Sequence, residues 1–98
     1  MDAKTKYGLV VLAEELGELQ KEVFKAIRFG LYDVNPKTGQ TNVDAMRDEF
    51  CDVVGAMEFL DKEDAMVNLV DIIDYQAVQN KVVKIEHYYK YSQERGWD

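Results

Sequence analysis

Four carboxylates stand out by their spacing. Glu15 and Glu18 lie at i, i+3 in AEELGELQKE, and Glu49 and Asp52 repeat that relation in DEFCDVV. At about 100° per residue, each pair shares one helical face a single turn apart. Each also borders the apolar stripe of its own segment. Two helices packed antiparallel through those stripes bring all four carboxylates to the edge of the core. Like charges so crowded are unfavourable unless a cation neutralises them. An all-oxygen donor set suits Mg²⁺, with Mn²⁺ as a substitute. The blander alternative is a pair of solvated acidic faces, in which Glu18 and Glu22 are matched by Lys21 and Lys25.

The elements that must position these groups are helical. Leu9, Leu12, Leu16, Leu19, Val23 and Ile27 recur at spacings of three and four, and so do Met46, Phe50, Val53, Met57 and Leu60. Between the two segments, Gly30–Asn42 is dense in turn chemistry, with Asn35-Pro36 and Thr38-Gly39 as turn residues. Thr41 or Asn42 can cap the second helix, and Asp44 suits its positive end. Beyond Glu63, the apolar positions Met66, Leu69, Val70, Ile73, Val78, Val82, Ile85 and Tyr89 continue to about Ser92. They predict one long helix, or two with a bend near Asp71–Tyr75. No period-two strand and no internal repeat interrupts this, so the class is all-α. The expected form is an antiparallel helical bundle made from residues 1–98 as a single domain. Three such helices make a thin core, and Tyr88, Tyr89 and Tyr91 add apolar surface to the last. A homodimer or homotetramer that completes the bundle is therefore expected.

Composition narrows the function. The 98 residues carry 12 Lys plus Arg against 19 Asp plus Glu, a net charge of −7. Such a balance argues against duplex nucleic acid as a partner, because its binders usually present a basic face. It also repels free nucleotides, so a phosphate site here needs metal ions to invert the local sign. No apolar run approaches the roughly 20 residues that span a bilayer, and Met1–Lys6 lacks the apolar region of a secretory signal. A cytoplasmic protein without a membrane partner is expected. The single cysteine, Cys51, cannot form an internal disulfide and is expected as a small core residue. His87 stands alone without an ExxH pair, which disfavours a di-iron bundle site.

The string EELGEL followed by EFCDVV resembles the EExxE…ExxD signature of the all-α nucleoside triphosphate pyrophosphohydrolases of the MazG-like superfamily. The likeness extends to KAIRFG, to TNVDAMRDEFCDVVGAMEFL and to KVVKIEHYYKYSQERG, and so covers most of the chain in the manner of the compact, phage-type members. The resemblance implies Mg²⁺-dependent hydrolysis of a nucleoside triphosphate, with either ribose or deoxyribose, to the monophosphate and pyrophosphate. It assigns the metal to Glu15, Glu18, Glu49 and Asp52. Glu14 and Glu15 take the catalytic role, Glu14 orienting water from about 100° round the helix. Family members place basic residues downstream of ExxD, where Lys81 and Lys84 lie at i, i+3 beside Asn80; these are the expected phosphate contacts, with Arg28 second. The plain alternative for each is a solvated surface charge.

Base recognition is less determined. Phe24, Phe29, Tyr32 and Trp97 are candidates for stacking, with a core role as the alternative. Asn42 is either a reader of a base edge or a helix cap. Asp71 and Asp74 are a further metal position or, more simply, solvated or capping groups. The rival to the enzyme is a non-enzymatic helical interaction protein with acidic solvated faces and an aromatic third helix that meets a partner.

Overall fold

Three local start signals organise the chain. The Asp2 carboxylate accepts from the Thr5 N–H at 2.7 Å, and the Thr41 hydroxyl accepts from the Asp44 N–H at 3.2 Å. The Asp74 carboxylate accepts from Gln76 and Ala77. Each satisfies backbone donors that a first helical turn leaves unpaired. The computed structural model describes residues 1–71 and 73–96. Its helices are α1, Ala3–Phe29, α2, Asn42–Glu63, and α3, Tyr75–Glu94. The all-α expectation holds: among the described residues, β-type pairing is limited to one isolated bridge between Val34 and Thr41. Gly30 closes α1 at φ +102, a conformation that side-chain-bearing residues seldom adopt.

α1 and α2 pack antiparallel. Lys4 at the start of α1 lies 3.9 Å from Glu63 at the end of α2, and Gly8 faces Phe59 and Leu60. The seam is made of small residues as much as large ones: Thr5, Gly8 and Ala26 are buried on α1, and Val53, Ala56 and Leu60 on α2. A Cβ on Gly8 would stand 2.8 Å from Leu60 Cδ2. The missing side chain is what lets the two helices approach so closely.

Three expectations require correction. The first is that the stripe of α1 forms the core. Leu9, Leu16 and Ile27 are exposed and Leu12, Leu19 and Val23 only half-buried. Two helices cover one face of each other, and the stripe lies beside the seam on an uncovered side. The second is Cys51, which is exposed for the same reason. The third is the segment after Glu63, which is neither one long helix nor two separated by a bend. The stretch 64–71 is irregular, because aspartates offer its backbone another partner. The Asp61 carboxylate accepts from the Leu69 and Val70 N–H groups at 2.6 and 3.0 Å, and Asp64 accepts from the Met66 N–H. α3 therefore begins only at Tyr75, and it packs against neither α1 nor α2. The radius of gyration is 17.0 Å, against about 13 Å for a compact domain of this length.

Candidate metal centre

The seam of α1 and α2 carries the carboxylates. Glu15 faces α2 one turn beyond Val11, and Glu49 and Asp52 lie one turn apart on α2. Ligand oxygens of these three residues all lie within 4.8 Å of one another. Glu15 and Glu49 are half-buried and Asp52 is exposed, so the group opens to solvent on one side. One oxygen, Glu49 Oε2, is buried and has no hydrogen-bond partner among the described residues. The Glu49 carboxyl titrates above its ordinary range. Burial is the largest cause; next come the Glu15 carboxyl in hydrogen-bonding reach and the charges of Glu15, Asp52 and Glu18.

These features fit a hard divalent cation. The donors are all oxygens, they come from two separate helices, and a buried acceptor lacks the partner it needs. Mg²⁺ or Mn²⁺ would be held by Glu15, Glu49 and Asp52. Glu18 is exposed and outside that group of three, although its charge acts on Glu49. Glu14 is exposed and also outside it, on the neighbouring face of α1.

The expected phosphate contacts are elsewhere. Lys81 and Lys84 line a shallow groove on α3 with Ile85, Tyr88 and Tyr89, and Asn80 accepts from Gln76 Nε2 at 2.9 Å. Because α3 packs against neither other helix, a single chain does not bring these residues to the carboxylates. Arg28 lies in the exposed last turn of α1, its guanidinium 5.8 Å from the centre of the Phe29 ring. Phe24, Phe29 and Tyr32 are all exposed rather than core, and Trp97 lies outside the described residues. Thr41, not Asn42, caps α2; Asn42 instead donates its amide to the Gly30 carbonyl at 2.7 Å. Asp74 is the cap of α3, and Asp71 is exposed.

Two clefts flank the carboxylates that the spacing of residues did not reveal. One, of about 280 Å³, is lined by Lys25, Thr38, Gln40, Asn42 and Asp48 and reaches Glu49. The ordered loop after α1 builds it: Asn35 and Gln40 are bonded across the turn at 2.9 Å, and Val43 N–H meets the Leu31 carbonyl. The other, of about 290 Å³, is lined by Tyr7, Gly8, Val11, Gly55 and Phe59, one turn from Glu15 and Asp52 along the seam. The turn residues were a signal for the first cleft's loop, but its partners on α1 and α2 were not. No helix among the described residues is long and apolar enough to cross a membrane. Compared with protein families, curated proteins and solved structures, the chain has no match.

Proposed function

We propose that this protein is a divalent-metal-dependent hydrolase that converts a nucleoside triphosphate to its monophosphate and pyrophosphate. The observation that carries the proposal is the convergence of Glu15, Glu49 and Asp52, with one buried oxygen of Glu49 left unpartnered. The likeness of EELGEL and EFCDVV to the MazG-like signature supports the same reading. Bound Mg²⁺ would supply charge for the phosphate oxygens and a lowered pKa for water. The chain's own residues do the rest. Glu15, Glu49 and Asp52 would hold the cation at the α1–α2 seam. Glu14 and Glu18, outside the group of three, are free to orient an attacking water or accept its proton. Scission then releases pyrophosphate, whose charge needs cations beyond the metal.

Association of copies belongs to the same proposal. The accessible surface is 8053 Å², whereas a compact chain of this mass exposes about 5,700 Å². The excess is of the size that obligate partners cover. Leu16, Ile27 and Phe50 on the hairpin and Val78, Val82 and Ile85 on α3 are among the uncovered apolar residues. A second copy laid across them would complete the bundle and would offer Lys81 and Lys84 a route to a carboxylate group. A non-enzymatic interaction protein shares the apolar surface but has no use for a buried, unpartnered Glu49 oxygen. The deciding experiment measures Mg²⁺ and Mn²⁺ binding by calorimetry and screens ribo- and deoxynucleoside triphosphates for pyrophosphate release. Metal binding with release from at least one nucleotide is expected; absence of both refutes the enzyme.

A further inference from the structure

The two clefts that flank the carboxylate group differ in what they could hold. The one beside Glu49 is mostly polar, with the Asn35 amide, the Thr38 and Thr41 hydroxyls and the Lys25 ammonium set among carboxylates and further amides. The one on the far side is apolar. Val11, Ala56 and Phe59 line it, and the Tyr7 hydroxyl is the one polar side-chain group on its walls among the described residues. Gly8 seats Phe59 against α1, since Phe59 Cδ1 lies 2.9 Å from where a Gly8 Cβ would stand. At Gly55 nothing lies within 4 Å of that position, so the space there is open to a ligand. Both helices carry this cleft onto the carboxylates. Val11 lies one turn before Glu15 on α1, and Ala56 lies one turn after Asp52 on α2. Each wall therefore runs onto a carboxylate along one helical face, over about 5.4 Å.

We propose that the apolar cleft receives the nucleobase, so that the nucleotide lies along the α1–α2 seam with its base toward Gly8 and its phosphates over the carboxylates. The inference rests on the function proposed above and deepens it. A nucleotide has two unlike ends. The flat faces of its base are apolar and gain by leaving water for aliphatic and aromatic surroundings. Its phosphates are charged and enter no such surroundings without paired charge. The apolar cleft suits the first end, and a cation held by Glu15, Glu49 and Asp52 suits the second. The single helical turn between them matches the sugar that joins base to α-phosphate. Contact with Tyr7 and Phe59 is of a kind every base can make, because every base has a π-face. The cleft thus holds a base without reading its edge.

The test uses the full chain at saturating Mg²⁺ with AMP, CMP and ribose 5-phosphate, which lacks only the base. Calorimetry should give AMP and CMP each about tenfold tighter than ribose 5-phosphate, or about 1.4 kcal/mol, as for a stacked base. Tyr7→Ala removes a wall and Gly55→Leu fills the space. Each should cut that advantage at least about fivefold, while Mg²⁺ affinity and the helical circular dichroism spectrum stay as in the wild type. Amide resonances of Gly8 and Gly55 should move on titration with AMP. Ribose 5-phosphate binding as tightly as both nucleotides overturns the proposal, as does an undiminished advantage in both variants. Resonance shifts confined to Gln40 and Asn42 overturn it too, by placing the base in the polar cleft. Gly8 and Gly55 resonances that move on dilution without nucleotide also overturn it, since a second copy then fills the cleft. If pyrophosphate is released while the base adds nothing to binding, the cleft assignment fails alone. If no nucleotide binds and no pyrophosphate is released, the function fails and takes the cleft assignment with it.

Discussion

Glu49 is held half-buried against Glu15 and Asp52, and this arrangement is unfavourable without a cation. Its carboxyl titrates above 4.5 in the folded protein, chiefly because of burial. The folded state therefore holds a proton that the unfolded chain releases earlier. This stabilisation is full below the unfolded pKa and is lost as pH rises through the folded value. Thermal melts in a chelator should thus show the contribution of Glu49 declining above pH 4.5, and Glu49→Gln should flatten that decline. Near pH 7 the variant should melt higher than wild type without metal. With Mg²⁺ the order reverses: at a hundredfold excess over Kd, wild type gains about 2.7 kcal/mol, and Glu49→Gln gains little. Asp2 acts oppositely, since its bond to the Thr5 N–H lowers its pKa and its stabilisation is lost as pH falls. Asp52→Asn is expected to abolish pyrophosphate release while the circular dichroism spectrum stays helical. Unchanged turnover would remove Asp52 from the mechanism.

At the scale of the element, two glycines of α1 make opposite predictions. A side chain at Gly8 would press within 2.8 Å of Leu60, which is wholly buried and cannot retreat. Gly8→Ala gains about 1 kcal/mol of helix propensity but meets an overpacking cost of about 1–3 kcal/mol. Denaturant melts should show net destabilisation, and Gly8→Val should be worse. Gly17 has nothing within 4 Å of where a Cβ would stand. Gly17→Ala should raise stability by about 1 kcal/mol, since only propensity changes. Helix existence was legible along α1 and α2 because the apolar residues recur at three and four. The start of α3 was not, because Met66, Leu69 and Val70 keep the helical rhythm. What breaks it is the Asp61 carboxylate bonding to Leu69 and Val70, a tertiary choice among satisfactory alternatives.

At the scale of the whole molecule, α3 packs against neither α1 nor α2 and exposes Val78, Val82 and Ile85. Sedimentation at micromolar concentration is expected to give a dimer or a larger species. The double variant Val82→Asp, Ile85→Asp should shift it to a monomer. If association carries α3 to a second copy's carboxylates, Lys81→Met and Lys84→Met should each lower kcat/KM about tenfold, or about 1.4 kcal/mol. Their Mg²⁺ affinity should not change. A fully active monomer would instead confine the site to the α1–α2 hairpin.

Residue type and spacing were enough for the helical class, for the pairing of carboxylates at i, i+3, and for narrowing the cap of α2 to Thr41 or Asn42. Those features depend on residues within about four positions of one another, so spacing and residue type suffice to specify them. Only the tertiary structure decided that Glu15 joins Glu49 and Asp52 while Glu14 and Glu18 stay outside the group. That choice depends on the rotation of α1 about its axis, which the close approach at Gly8 and Ala26 fixes and which the apolar stripe misstated. It also decided that Gln40, Asn42 and Asp48 share a cleft with Lys25. Their side chains come from the end of one helix, a loop and the start of another, and no periodicity links them; backbone bonds across the 31–43 loop bring them together.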